Sequence, residues 1–292
     1  LADPPPPARL SGSPADPVTA LAGTGAARVD RPRLLFWLVL LAALNAFAGT
    51  AMRIVPEHGL AYAIFELFGI SAIIWVGLAA ALTLLRDAPA GRLRRGDRAV
   101  AAIVALVALV PVSTASALSL AALGTWMIAT SPAGGPVRRA GLIVLAMTGP
   151  LFWGRVLLAL FSGPLLIADT WLVGQVTGAA QTGNILALAD GSDRIGVAPG
   201  CSSWQGMSLA LLLWVTVNQW FQVPFGRRAV ATCAAALAAT VAINVLRIGA
   251  MVRFPAHIEE IHHGWGWHLS MWSTLVAVGA ICVWGARREA FR

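Results

Sequence analysis

Apolar residues run through this chain in long blocks parted by short polar stretches, and nowhere alternate with period two over any length. Eight blocks stand out, at 34–52, 60–85, 99–112, 115–129, 140–161, 205–221, 229–246 and 266–284. Blocks of this length predict membrane-spanning helices, for which about 20 apolar residues suffice. The third and fourth are short, and the Pro111 to Thr114 stretch between them reads either as a tight turn between two spans or as a kink in one helix. Ahead of the first block, residues 1–33 are rich in Pro, Ala and Ser and predict a disordered cytoplasmic tail. The first block follows Arg28, Arg31 and Arg33, and its length favours a retained span over a cleavable signal. Between the fifth and sixth blocks lies a longer segment, 162–203, that opens with an apolar piece at 163–173, expected to lie along the membrane interface. Two runs, Ile185 to Leu188 and Arg194 to Val197, then flank Ala189-Asp190-Gly191-Ser192-Asp193 and predict a small hairpin leading into Gly200 and Cys201.

Composition agrees with lipid as the solvent: of 292 residues 58% are hydrophobic and 12% charged, outside the range of soluble domains. All 21 basic residues are arginine, so Ser/Lys dyads, lysine Schiff bases and lysine general bases are excluded. The formal charge of +8 does not point to nucleic acid, because the arginines cluster between apolar blocks and the 12 tryptophans lie in or beside them, as interface anchors do. Arg86, Arg92, Arg94, Arg95 and Arg98 precede the third block, and Arg138 and Arg139 follow the fourth, so both loops are expected inside and the chain must turn back between them. With both termini inside, sixteen arginines fall on the cytoplasmic side and only Arg53, Arg155, Arg194, Arg247 and Arg253 fall outside. The expected fold is therefore an all-α polytopic membrane protein: about eight transmembrane helices over 34–292, with a small extracytoplasmic hairpin before Cys201.

Three polar sites gather at the expected outer boundary. Cys201, within Pro199-Gly200-Cys201-Ser202-Ser203-Trp204, stands where the sixth span begins. There glycine permits a sharp turn, and the positive end of a helix favours a nucleophilic thiolate. Cys233 and Cys282 sit inside apolar blocks and read as small hydrophobes, a reading that fits Cys201 less well but remains its alternative. Asn244 and Arg247 close the seventh block at a spacing that shares one helix face. Arg247 alone reads equally as a snorkelling anchor, whereas Asn244, one turn deeper, needs a partner. His257, His262, His263 and His268 crowd the loop into the last block, with Glu259 and Glu260 beside them. A general base, a solvated loop and a metal site all remain open there. No HExxH or GxSG motif occurs. Glu66 is read as the sole acid within a span, which leaves no paired intramembrane aspartates, and Glu66 and Arg155 are expected to pair, to line the site or to anchor helices.

The ordered trio of Cys-Ser-x at 201–203, Asn-x-x-Arg at 244–247 and His-x-x-x-Gly-Trp at 262–267 resembles the exosortase/archaeosortase family of membrane-embedded cysteine transpeptidases, over roughly residues 155–284. The resemblance implies Cys201 as nucleophile, Arg247 as the essential arginine and His262 as the histidine, with Asn244, Ser202 and His263 on the substrate side. No metal or cofactor is implied. The implied partners are exported proteins carrying a C-terminal sorting signal, namely a short motif of the Pro-Glu-Pro type, an apolar span and a basic tail, cut at the outer face of a bacterial inner membrane and passed to an acceptor. Two departures stand out: Ser203 occupies a position where the family commonly has glycine, and adjacent His263 competes with His262 for the histidine role. The rival classes are a transporter or scaffold without covalent chemistry, and a His/Glu metal-dependent membrane protease. A transporter would carry polar residues near mid-membrane, where this chain is nearly all Ala, Leu and Val.

Overall fold

A computed structural model describes residues 30–110 and 112–290, the side chains of 288–290 excepted. Residues 1–29 of the expected tail lie outside the described residues, while Asp30 caps the first helix and residues 31–33 begin it. Helix α1 (Arg31–His58) starts there because the Asp30 side chain accepts from the Arg33 backbone N–H at 2.9 Å and Pro32 stands in the first turn, where no amide proton is needed.

The second apolar block is not one element. It divides into α2 (Leu60–Phe65) and α3 (Ala72–Arg86), parted by a tight turn at Leu67–Gly69 in which Leu67, Phe68 and Gly69 all take positive φ. Ser71 then caps α3 by accepting from the Ile73 N–H. Helices α4 (Arg95–Ala108) and α5 (Ser113–Ala129) are separate, as the arginine pattern required. Helix α6 (Pro136–Thr148) runs through a π-turn at Gly149–Trp153 into α7 (Gly154–Thr177), giving a 42-residue helical stretch that bends at Phe161 (φ −120°, ψ 25°), three residues before Pro164. The expected interfacial piece at 163–173 is therefore the continuation of α7 past its kink.

Three short antiparallel strands follow, β1 (Gln181–Thr182), β2 (Ile185–Ala187) and β3 (Arg194–Gly196). Strands β2 and β3 form the predicted hairpin, with Leu186 opposite Ile195. The chain closes with α8 (Ser203–Trp220), α9 (Arg227–Arg253), the five-residue α10 (Ile258–His262) and α11 (Trp265–Ala290).

Among the described residues four stretches are long and apolar enough to cross a membrane: Arg31–His58, Pro136–Thr177, Arg227–Arg253 and Trp265–Arg287. Helices α3 and α5 are apolar but shorter. Lipid offers no hydrophobic gain for helix pairing, so close packing must hold the helices, and small residues permit it. A Cβ added at Gly124 of α5 would lie 2.9 Å from the Gly141 carbonyl oxygen of α6, which shows how closely the two backbones approach.

The bundle has two distinguishable ends. At one, Arg31 of α1 reaches both carboxylate oxygens of Asp97 (3.1 and 3.2 Å) and the Ser131 hydroxyl (3.0 Å), and also the hydroxyl of Thr130. The Asp97 carboxylate further accepts from Trp126 Nε1 (2.8 Å) and the Arg94 backbone N–H (2.7 Å), so α1, α4 and α5 are tied together. At the same end Arg139 donates to the carbonyls of Gln219 and Trp220 that close α8. The other end of α8 begins at Cys201. Two apolar clusters match this division. The larger is built from α1, α3, α4, α5, α6, α8, α9 and α11, and a smaller one, containing Leu166, Val173, Leu186, Val197, Val245 and Ile261, surrounds Cys201.

Candidate active site

Cys201 closes a 3-10 turn, Pro199–Cys201, in which its N–H donates to the Ala198 carbonyl at 2.8 Å. Gly200 does not use a positive φ, and nothing lies within 4 Å of where its Cβ would stand. The expected need for glycine there is thus replaced by a turn open to other residues, with free space at the Gly200 Cβ position. The side chain of Cys201 itself is buried, at 8% exposure.

The first amides of helix α8 are taken by side chains and do not reach the thiol. The N–H of Ser203 donates to Asp169 at 3.0 Å and the N–H of Trp204 to the Ser202 hydroxyl at 3.2 Å, so the first free amides of the helix are already partnered. Asp169, on α7, also accepts from the Ser202 hydroxyl (2.7 Å) and the Ser203 hydroxyl (2.5 Å). Trp204 Nε1 donates to the Gly154 carbonyl at 3.1 Å, so α7 grips the start of α8 on both sides of its kink. Asp169 escaped the sequence reading, which counted Glu66 as the sole acid in a span. Its signal was there: it is the one charge in the apolar stretch 163–173.

Helix α9 supplies the cationic side. Gly206 of α8 would place a Cβ 2.8 Å from the Thr240 methyl, so glycine lets α8 and α9 close together one turn below Asn244. Asn244 Nδ2 then donates to the Cys201 carbonyl at 2.8 Å, while its Oδ1 accepts from Arg247 Nη2 at 3.2 Å. The asparagine is a bridge from the thiol's own backbone to the guanidinium. Arg247 lies 5.2 Å from the centre of the Trp267 ring and is 8% exposed, yet its Nε and Nη1 groups are buried with no partner among the described residues. A buried N–H pair of this kind is costly unless something else satisfies it.

The histidine arrives from the opposite wall. Glycines at 264 and 266 let α10 fold tightly onto α11: a Cβ at Gly266 would meet the Ile261 Cα at 2.5 Å, and one at Gly264 the Glu260 carbonyl oxygen at 2.8 Å. This supplies a physical reason for the His-x-x-x-Gly spacing, because the turn carries His262 Nε2 to 3.0 Å from Cys201 Sγ. His262 Nδ1 lies 2.7 Å from His263 Nε2. With the proton on Nδ1 shared toward His263, Nε2 is left to accept from the thiol. Burial pushes the His262 imidazole below the ordinary histidine value, helped by His263 and Arg247 and opposed by Glu259. His263 itself stays exposed, and His257 pairs with Glu260 at 2.9 Å, away from the thiol.

Beside Arg247 an apolar groove of about 410 Å³ runs between α9 and α11, lined by Leu246, Ala250, Phe254, Trp265 and Leu269 among others. The chain matches no protein-family model, no curated protein and no solved structure. Its functional reading therefore rests on the site. Among the described residues no three His, Cys, Asp or Glu side chains converge as a metal-ligand set. No ion pair joins Glu66 to Arg155 among those residues, and both are exposed. Cys201, Asn244, Arg247 and His262 do converge, with Ser202 turned to Asp169 and His263 behind His262.

Proposed function

We propose that this chain is a membrane-embedded cysteine peptidase or transpeptidase of exosortase type, which cleaves C-terminal sorting signals of exported proteins and transfers or releases the product. The observation that carries the reading is the 3.0 Å approach of His262 Nε2 to the Cys201 thiol beside a buried guanidinium with two unpartnered N–H groups. Chemically, His262 takes the thiol proton as Cys201 Sγ attacks the substrate carbonyl carbon. The oxyanion so formed accepts from Arg247, whose orientation is held by Asn244 and the Trp267 face. Collapse breaks the C–N bond, His262 returns the proton to the leaving amine, and a thioester on Cys201 remains. An amine acceptor or water then attacks the thioester, giving back the thiol.

On this reading the chain crosses the membrane eight times, with α3, α4, α5 and α8 spanning in addition to the four long apolar stretches. The sixteen-to-five distribution of arginines supports that count. It puts the termini and the Arg31–Asp97 end inside a bacterial inner membrane and the thiol at its outer face. The apolar groove between α9 and α11 offers a surface for the apolar part of a sorting signal, whose basic tail stays inside.

Replacing Cys201 by Ala is expected to abolish processing of a co-expressed exported protein bearing such a signal, with membrane abundance of the enzyme unchanged. Cys233→Ala and Cys282→Ala are expected to retain it. Mass spectrometry of the substrate's new C-terminus reads the cut. Undiminished cleavage by Cys201→Ala removes the thiol mechanism, and inhibition by chelators in place of thiol alkylation turns the reading toward a metal-dependent protease.

A further inference from the structure

Asp169 has no place in the chemistry just described, although it is the least exposed acid near the thiol, at 4% exposure. Among the described residues no basic side chain pairs with it; its carboxylate is held by the two hydroxyls of Ser202 and Ser203 and the Ser203 N–H. A buried carboxylate without a cation is expensive to maintain, and three donors converging on it define what it holds. They belong to the two residues that follow Cys201. On its other side the Cys201 turn is held by Asn244, through the Cys201 carbonyl.

We infer that Asp169 is the positioning residue of the thiol turn: by clamping Ser202 and Ser203 to α7 it holds Cys201 Sγ within hydrogen-bond reach of His262. This rests on the thiol–imidazole reading above but adds a third helix to it, since Asn244 and His262 come from α9 and α10. It also gives Ser203, the departure from the family's usual glycine, a use: its hydroxyl supplies one of the three donors. The clamp takes the amide at the positive end of α8, so the thiol depends on His262 and Arg247 for activation and on α7 for its place.

The test needs no substrate. In full-length protein carrying Cys233→Ala and Cys282→Ala, the rate of Cys201 alkylation by N-ethylmaleimide is followed against pH for the parent, His262→Ala and Asp169→Asn. The expected result is that Asp169→Asn slows alkylation about tenfold at neutral pH and that its pH profile merges with that of His262→Ala, because both separate the thiol from its base. Asp169→Asn on a Ser202→Ala, Ser203→Ala background is expected to add nothing further. A parent-like pH profile in Asp169→Asn overturns the proposal. If Asp169→Asn does not accumulate, Ser203→Ala carries the test: a partial shift toward the His262→Ala profile supports the proposal, and an unshifted profile overturns it. Failure of the peptidase reading looks different, since the parent then processes no sorting signal while its alkylation profile still departs from that of His262→Ala.

Discussion

Arg31 and Arg247 are buried almost equally, at 7% and 8% exposure, near opposite ends of the bundle. Around Arg31 the guanidinium meets the Asp97 carboxylate and two hydroxyls, and the carboxylate in turn accepts from Trp126 and Arg94. Arg247 has one hydrogen bond to Asn244, one aromatic face and two buried N–H groups with no acceptor. The difference teaches how to read a buried charge: a guanidinium whose donors are filled holds the fold together, whereas one kept short of acceptors is prepared for something that arrives later.

That comparison predicts opposite mutational signatures. Arg31→Met strands Asp97 in the interior and is expected to cost about 3–5 kcal/mol, read as a lower unfolding midpoint in detergent and lower membrane abundance. Adding Asp97→Leu is expected to recover much of it, since a buried pair replaced whole is often neutral. Arg247→Met is expected to leave the midpoint unchanged and to slow processing by about 10²–10³-fold, the scale of one lost oxyanion donor. If the two arginine variants destabilise alike, the contrast fails. Gly266→Ala forces α10 away from α11 and is expected to cost about 1–3 kcal/mol, while Gly200→Ala, with open space around it, stays within about 0.5 kcal/mol.

The smallest effect concerns pH. The proposed mechanism requires a neutral His262, so its acid limb is expected below the usual histidine value of 6.5, because burial, then His263 and Arg247, disfavour the imidazolium. His263→Gln removes one of the groups that hold the His262 value down and moves that limb upward. Glu259→Gln removes the group that favours the charged form and moves it downward. Rate profiles of the three proteins over acidic pH check both signs.

Much of this was legible in the chain itself. The hairpin followed from two short runs flanking the turn residues Asp190-Gly191-Ser192-Asp193, and strands β2 and β3 fall within those runs. The Asn244–Arg247 pairing followed from helical spacing, and the choice of His262 over His263 from the family resemblance, which implies a histidine four residues before Gly266. Asp169 was hidden because its partners, Ser202 and Ser203, lie 33 and 34 residues away and meet it only through the packing of α7 on α8. The break at Leu67–Gly69 was hidden for another reason: its residues are apolar, and periodicity does not reveal a left-handed turn made of Leu and Phe. The partners of the first α8 amides were hidden because the sequence does not say which acceptor reaches them. Here Asp169 and Ser202 reach them first.

The smaller apolar cluster around Cys201 carries one more consequence. It draws on α7, the hairpin, the end of α9 and α10, and contains none of the residues of α1, α3, α4, α5 or α6 that make the larger core. A site seated on a small core of this kind is expected to form a cooperative unit: hydrogen exchange should show the thiol turn, α10 and the strands between them opening together at lower cost than the helices tied by Arg31. On the proposed function, such a unit is expected to admit a substrate chain while the rest of the bundle stays folded.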